Sequence, residues 1–219
     1  MSFFTARRKT IAGVAGLLLV ALPLSACGDD KGEGEGGGSA PKAVAVIETL
    51  KGESTAIKLD KGFTDALTAL KLTPGVVGGA KLTDGSLIFP ITGGNVSVFK
   101  PGEVSPYVIG QVQHENSGLS LSAGGTTVEL TNFNVDPGVS RVYGDVTVNG
   151  EVAATSAYLF ELNGSTLKPL QSKGNTAILE GTKVSISEVA APLLNDTFKT
   201  DAVKPGLLVG IAKITVNTK

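Results

Sequence analysis

The sequence has little of the chemistry that marks metal sites, redox sites and nucleic-acid interfaces. Its 219 residues include one cysteine, one histidine, one methionine and no tryptophan. A single cysteine excludes a disulfide within the chain, and one cysteine with one histidine cannot complete a His/Cys zinc site or an iron–sulfur cluster. The formal charge of -1 gives no electrostatic footprint for nucleic acid, so we expect no nucleic-acid partner.

Motifs for catalysis are also missing. His114 is the sole histidine, and no Gly-x-Ser-x-Gly motif accompanies it. Two segments, Ser97 to Lys100 and Ser165 to Lys168, match the Ser-x-x-Lys pattern, but no Lys-Thr-Gly follows either. The absence of tryptophan argues against a glycosidase, and there is no Asp-x-Asp-x-Asp-Gly loop for calcium. We therefore predict a non-enzymatic protein without a metal site, with an unmarked hydrolase as the remote alternative.

The N-terminus is typical of an export signal. Arg7, Arg8 and Lys9 form a basic segment, and a mostly apolar stretch follows over residues 11–22. That stretch is too short to cross a bilayer as a helix, which takes about 20 apolar residues, but it has the length of a secretory signal core. We interpret residues 1–26 as a signal peptide.

The signal segment ends in Leu24-Ser25-Ala26-Cys27, which resembles the lipobox of bacterial lipoproteins. The resemblance implies cleavage just before Cys27 and diacylation of its sulfur. Two acyl chains suffice for stable anchoring. The expected partner of Cys27 is thus a lipid bilayer, on the outer face of the bacterial cytoplasmic membrane or elsewhere in the cell envelope. An ordinary signal peptide with an unmodified Cys27 is the alternative.

Residues 27–42 are interpreted as the lipidated cysteine and a flexible tether. The segment GDDKGEGEGGGSAP, residues 28–41, is rich in glycine and has no large apolar side chain, so it cannot bury enough surface to fold. From residue 43 to residue 219 the composition is uniform, and a chain of that length suits one domain with its own core.

Alternating apolar and polar residues predict that this domain is mainly β. Val128 and Leu130, and Val184 and Ile186, each alternate with polar neighbours, and Val142 to Val148 follows the same period of two. Pairs such as Asp84-Gly85 and Asn149-Gly150 supply turn signals between the runs. We expect an antiparallel sandwich-like or barrel-like domain.

Two segments have helical spacing instead. Asp60 is placed to cap a helix with Phe63, Leu67 and Leu70 on one stripe. The second predicted helix has its stripe at Val189, Leu193, Leu194 and Phe198, with Pro192 tolerated only in the first turn. The fold class therefore includes two short helices.

The segment from Gly110 to Leu121 contains the lone histidine. We interpret it as a strand, a polar turn that carries His114, and a second strand. A histidine beside a carboxylate is suited to a pH-sensitive ligand contact, so His114 and Glu115, together with Tyr107, are the candidate ligand-binding residues. The favoured interpretation, however, is a hairpin in which His114 only hydrogen-bonds the turn backbone.

This region also carries a resemblance. Residues 89–94, 114–125, 128–133 and 193–198 resemble a group of secreted bacterial proteins of unassigned function. Gly110, Val112, His114, Gly118 and Leu119 are similar to a segment of HtaA-like haem-binding domains. In that family a tyrosine from an early aromatic segment ligates the haem iron and the histidine supports it. The corresponding segment here, residues 62–67, has no tyrosine, so the resemblance implies a haem site with His114 as the only iron ligand.

These observations favour a membrane-anchored envelope lipoprotein whose β domain has a binding or structural role. Its partners would be an envelope protein or a small-molecule ligand, and no cofactor is expected. The alternative is a haem-binding surface protein of the HtaA-like type.

Overall fold

Strands dominate the part of the chain that the structure, a computed structural model, describes, which is residues 40–218. The predicted signal peptide, the predicted lipidation site Cys27 and residues 28–39 of the predicted tether lie outside the described residues. None of the helices within residues 40–218 combines the length and hydropathy that a membrane span requires. The strands are β1 Ala45–Ile47, β2 Lys51–Leu59, β3 Thr73–Gly78, β4 Lys81–Thr83, β5 Ser86–Pro90, β6 Gly93–Val98, β7 Val108–Ala123, β8 Thr126–Asp136, β9 Arg141–Val148, β10 Glu151–Asn163, β11 Gln171–Lys173, β12 Thr176–Ile186 and β13 Leu208–Asn217.

Helix α1 spans Lys61–Ala69, helix α2 spans Ala190–Phe198, and a single 3-10 turn covers Gly164–Thr166. All named strands pair antiparallel in one 13-stranded sheet, in the order β1-β6-β7-β8-β9-β10-β12-β13-β2-β5-β4. Strand β3 adds to β7, and β11 adds to β12. The predicted class, mainly β and antiparallel with two short helices, is confirmed.

The sheet curls until its two ends meet. Strands β5 and β6 are separated only by Ile91 and Thr92, yet β5 pairs with β2 and β6 pairs with β7. The Ile91 N–H donates to the Glu53 carbonyl on β2, and the Thr92 N–H donates to the Gln113 carbonyl on β7. This junction links the opposite ends of the strand order, so one face of the sheet encloses an interior.

The predicted period-two pattern places the core side chains correctly. Val128 and Val146 are fully buried, and Leu130, Val142, Val184 and Ile186 are nearly so. Gly144 shows how tightly the interior is packed. A Cβ atom there would lie 2.8 Å from the Thr131 carbonyl oxygen and 2.9 Å from Leu159 Cδ1, so no side chain fits.

The N-terminus of α1 is capped by the residue that the sequence predicts, whereas the N-terminus of α2 is held by a serine that precedes the helix. The Asp60 carboxylate accepts a 2.8 Å hydrogen bond from the Gly62 N–H, which caps α1. Helix α2 has no side-chain cap at its own N-cap residue, Val189. Instead the buried Ser187 hydroxyl accepts from the Ala190 N–H at 2.9 Å and donates to the Tyr158 carbonyl at 2.6 Å.

The buried stripe of α2 also differs from the prediction. Ala190, Ala191 and Leu194 are the buried residues, whereas Val189 is 44% exposed. Ser187 explains the shift, because it ties the first turn down to strand β10 and turns the small alanines inward.

The predicted polar turn around His114 is wrong. Strand β7 runs without a break from Val108 to Ala123, and a bulge shifts its register against β8 between His114 and Gly118. Asn116 takes a positive φ of 53° in that bulge, and its N–H donates to the Asn132 side-chain oxygen. The bulge leaves Glu115 and Asn116 exposed to solvent, so the strand continues and His114 stays on the interior side.

Candidate ligand-binding cavity

The curled sheet encloses a cavity of about 940 Å³. Inward-facing residues of eight strands line it, and most of them are aliphatic or aromatic. A volume in this range is typical of sites that enclose a small organic molecule. The strand residues of the lining are Thr55, Ile57, Leu87, Phe89, Val108, His114, Leu119, Phe133, Val135, Val142, Phe160, Leu162, Leu179, Thr182, Val184, Val209, Ala212 and Ile214.

Exposed connections between strands form the open end of the cavity. The β6–β7 connection contributes residues 101–107, and the β8–β9 turn contributes Pro137 and Ser140. The segment after β10 contributes Gly164, Ser165, Leu167 and Pro169. Their hydroxyls and carbonyls give this end a polar rim. Glu103 is the one charged side chain among the described lining residues, and it is exposed.

His114 lies on the interior side of β7 with only 1% of its surface exposed. Its Nδ1 is 2.9 Å from the Pro90 carbonyl oxygen, and its Nε2 is 3.1 Å from the Thr55 hydroxyl. A carbonyl can only accept a hydrogen bond, so Nδ1 carries the proton and Nε2 accepts from Thr55. Both ring nitrogens are therefore engaged, and the Phe89 ring packs edge-on at 6.2 Å between centroids.

Burial lowers the pKa of His114 from 6.5 to about 4, and the hydrogen bond to the Pro90 carbonyl only partly opposes that effect. The charged imidazolium is disfavoured because the surrounding lining is apolar. At neutral pH the ring is uncharged, so the deep part of the cavity has no net charge.

The three candidate ligand-binding residues separate in space. His114 and Tyr107 both line the cavity, Tyr107 near the open end. The Tyr107 phenol is protonated at neutral pH, and partial burial raises its pKa further above the ordinary value of 10.0. Glu115 points out of the bulge, is exposed, and is not part of the lining. A ligand in this cavity would meet His114 and Tyr107 but not Glu115.

An aromatic cluster in the cavity wall was not identified from the sequence. Phe133 packs edge-on against Phe89 at 5.2 Å and against Phe160 at 5.9 Å between ring centroids. The three rings come from β5, β8 and β10, and each sits at an inward position of its strand. The signal was present as phenylalanine in alternating runs, but their meeting depends on strand order.

The geometry bears on the catalytic alternatives as well. Within residues 40–218, the hydrogen bonds of the His114 ring go to a threonine and a carbonyl, not to a carboxylate. The Ser165 hydroxyl donates to the Asn163 side chain, and Lys168 forms an ion pair with Glu180. The Lys168 ammonium group is thus directed to a carboxylate, and the Ser165 hydroxyl to an amide, rather than to each other. No cluster of three or more potential metal ligands occurs in the described part of the chain.

Comparison with known proteins gives a likeness of fold. No family model and no curated protein matches the sequence. Among solved structures, the C-terminal domain of HtaA from Corynebacterium glutamicum is similar over 77% of this chain and 98% of that domain, with a TM-score of 0.52 and 13% identity. The N-terminal domain of HtaA from the same organism (TM-score 0.47, 10% identity) covers 78% of this chain and 98% of its own.

A third structure in this set is the heme-binding protein HtaB from Corynebacterium glutamicum. It matches with a TM-score of 0.47 and 8% identity, over 79% of this chain and 96% of its own. At these identities the likeness concerns the arrangement of strands. The fold of this chain is thus that of the HtaA C-terminal domain.

Proposed function

We propose that the β domain is a non-catalytic binding module that encloses one largely apolar small molecule in the interior of its curled sheet. The observation that carries this proposal is the cavity of about 940 Å³, whose strand lining is almost wholly aliphatic and aromatic. Burying apolar ligand surface there contributes about 25 cal/mol per Å². The matching surface is already held open by the sheet, so little ordering is needed on binding.

The polar groups of the cavity define which ligands fit. His114 is neutral and has both nitrogens occupied, so its imidazole offers a ligand neither a charge nor a free donor. The rim offers the hydroxyls of Ser105, Ser140 and Ser165. The part of the ligand that enters the deep end is therefore uncharged and apolar, and its polar or charged group stays at the solvent-exposed open end.

Binding is tested with the full chain carrying Cys27→Ser, so that acylation does not interfere. We expect 8-anilinonaphthalene-1-sulfonate to bind at one site with increased fluorescence. Thr182→Phe, which places a ring in the lining, should abolish that signal. Thr215→Phe is the matched control, since Thr215 lies on β13 outside the lining. Equal fluorescence in the two variants would place the dye elsewhere and refute the proposal.

Haem is the second candidate ligand. The resemblance around His114 to HtaA-like haem-binding domains and the fold shared with the HtaA C-terminal domain favour it. The apolar lining suits the faces of a porphyrin. The residues available to ligate a haem iron fit less well than the apolar lining does. Nε2 of His114 is already hydrogen-bonded to Thr55, and residues 62–67 contain no tyrosine.

Hemin titration separates haem from other apolar ligands. If His114 ligates iron, the protein should give a shifted Soret band that His114→Gln removes, since the amide preserves hydrogen bonding but does not ligate iron. A protein that binds the dye and gives no Soret shift excludes haem and retains the broader proposal.

We also propose that the protein is exported and anchored in the cell envelope through acylated Cys27. The support is the sequence Leu24-Ser25-Ala26-Cys27 at the end of a signal segment. Cells given labelled palmitate should incorporate the label into the protein, and Cys27→Ser should release it from the membrane fraction. Membrane retention without label in the variant would refute lipid anchoring.

A further inference from the structure

A second, smaller cavity of about 240 Å³ adjoins the main one. It lies between strands β1, β6 and β7 on one side and β11, β12 and β13 on the other. Its lining is aliphatic, with the hydroxyls of Ser172 and Thr218 as its polar side-chain groups. The residues are Ala45, Val46, Ile47, Val96, Val98, Val108, Val112, Pro137, Leu170, Ser172, Ala177, Leu179, Ile214, Val216 and Thr218.

The two cavities share part of their walls. Val108, Pro137, Leu179 and Ile214 line both of them. Shared wall residues place the two cavities side by side.

The two linings differ in chemistry. Phe89, Phe133 and Phe160 line the main cavity and give it flat aromatic walls. The smaller cavity has no aromatic, histidine or charged side chain among its described lining residues. A narrow aliphatic space fills best with a flexible chain, which adapts its torsions to the walls, whereas a rigid ring system leaves voids and loses dispersion contacts.

We propose that the small cavity is a subsite for an aliphatic chain, and that the ligand of this protein is a single-chain amphiphile. The inference rests on the proposed binding function and names its ligand class. The body of the molecule occupies the main cavity, its polar group stays at the rim near Ser105, Ser140 and Ser165, and its hydrocarbon chain fills the small cavity.

The proposal makes a chain-length prediction. Each methylene that moves from water into the aliphatic subsite adds about 0.8 kcal/mol, which is about a fourfold gain in affinity. Affinity should therefore rise steeply along a series of saturated fatty acids until the subsite is full, and then stop rising. A flat planar ligand without a chain gains nothing from this subsite.

The test measures displacement of 8-anilinonaphthalene-1-sulfonate by octanoate, dodecanoate and hexadecanoate from the full chain carrying Cys27→Ser. Ala177→Phe should fill the small cavity from β12, and Ser172→Phe should do so from the exposed strand β11, where a fold defect is not expected. Ala153→Phe is the matched control, because Ala153 is exposed on β10 and lines neither cavity.

We expect both blocking variants to bind octanoate as the unmodified protein does and to lose the gain for hexadecanoate, while the control keeps it. Long and short chains that bind equally well to the unmodified protein would overturn the subsite and leave the main cavity as the binding site. A series in which the blocking variants retain the full gain would also overturn it. A protein that binds neither the dye nor any fatty acid refutes the proposed function itself.

Discussion

Two polar clusters lie on opposite faces of the same sheet, and we expect them to differ in how much they contribute to the stability of the fold. On the inner face, His114 bridges Thr55 and the Pro90 carbonyl in an almost solvent-free setting. On the outer face, the Arg141 guanidinium lies 4.4 Å from the centroid of the Tyr158 ring, beside Tyr143. Arg141 is exposed, and water can replace each of its contacts.

The difference shows that burial, rather than the type of contact, decides the energetic weight of a polar group. Removing the partner of a buried donor or acceptor leaves a desolvated group without compensation. Removing an exposed partner lets water take its place, and exposed charge contacts contribute little. The inner cluster should therefore control stability and its pH dependence, whereas the outer cluster should not.

The largest expected effect is that of His114→Ala. It removes a buried ring and leaves the Thr55 hydroxyl and the Pro90 carbonyl without their partner. We expect the free energy of unfolding to fall by about 4 kcal/mol. His114→Gln, which can both donate and accept, should lose much less. Urea denaturation followed by circular dichroism measures both, and equal losses would show that the hydrogen bonds do not matter.

The pH dependence of stability is the next largest effect. The unfolded state takes up a proton on His114 near its ordinary pKa of 6.5, but the folded state does so only at about 4. Stability is therefore complete above about pH 6.5 and declines as the pH falls, by about 3 kcal/mol in total. Because carboxylates also titrate near pH 4, the informative quantity is the difference from His114→Gln. Parallel stability curves for the two proteins would rule out a role for His114 in acid sensitivity.

Ser187 extends the comparison to a second buried group. Its hydroxyl joins the first turn of α2 to β10 through the Ala190 N–H and the Tyr158 carbonyl. Ser187→Ala should lower the free energy of unfolding by about 2 kcal/mol. Hydrogen exchange should show the loss concentrated in α2. Unchanged protection of the α2 amides would mean that packing of Ala190, Ala191 and Leu194 alone holds the helix.

The smallest expected effect is that of Arg141→Gln on the outer face. We expect the urea midpoint to stay at that of the unmodified protein at low and at high salt, because the guanidinium is solvated in the folded state. A clear loss of stability in this variant would break the contrast between the two faces.

Patterns of neighbouring residues in the sequence predict the strands and helices of this fold. Features that depend on pairing between strands distant in sequence are not predictable in this way. Val128 and Leu130 alternate with polar neighbours, so a strand with one buried side follows directly. Asp60 caps its helix through contacts within two residues, which a sequence displays in full. The bulge after His114 depends on Asn132 of the neighbouring strand, so the polar run was interpreted as a turn.

The candidate site likewise combines residues that the sequence singles out with an arrangement that only the pairing of distant strands creates. His114 is predictable as a candidate because it is the sole histidine of the sequence, and both His114 and Tyr107 line the cavity. The cavity itself could not be foreseen, since Phe89, Phe133 and Phe160 are far apart in sequence and meet only through strand order. Glu115 was grouped with His114 by adjacency, but neighbouring residues of a strand face opposite sides.

The pairing of β2 with β13 also governs when the domain can form. These strands lie at opposite ends of the described chain, Lys51–Leu59 and Leu208–Asn217, yet they are direct neighbours in the sheet. Bringing two strands so distant in sequence together costs conformational entropy before their contacts can stabilise the sheet. Folds with many such contacts therefore form slowly. The interior cannot be enclosed until β13 has left the ribosome. A chain that emerges in order from its N-terminus therefore keeps the inner face of its sheet open until that strand is available to pair with β2.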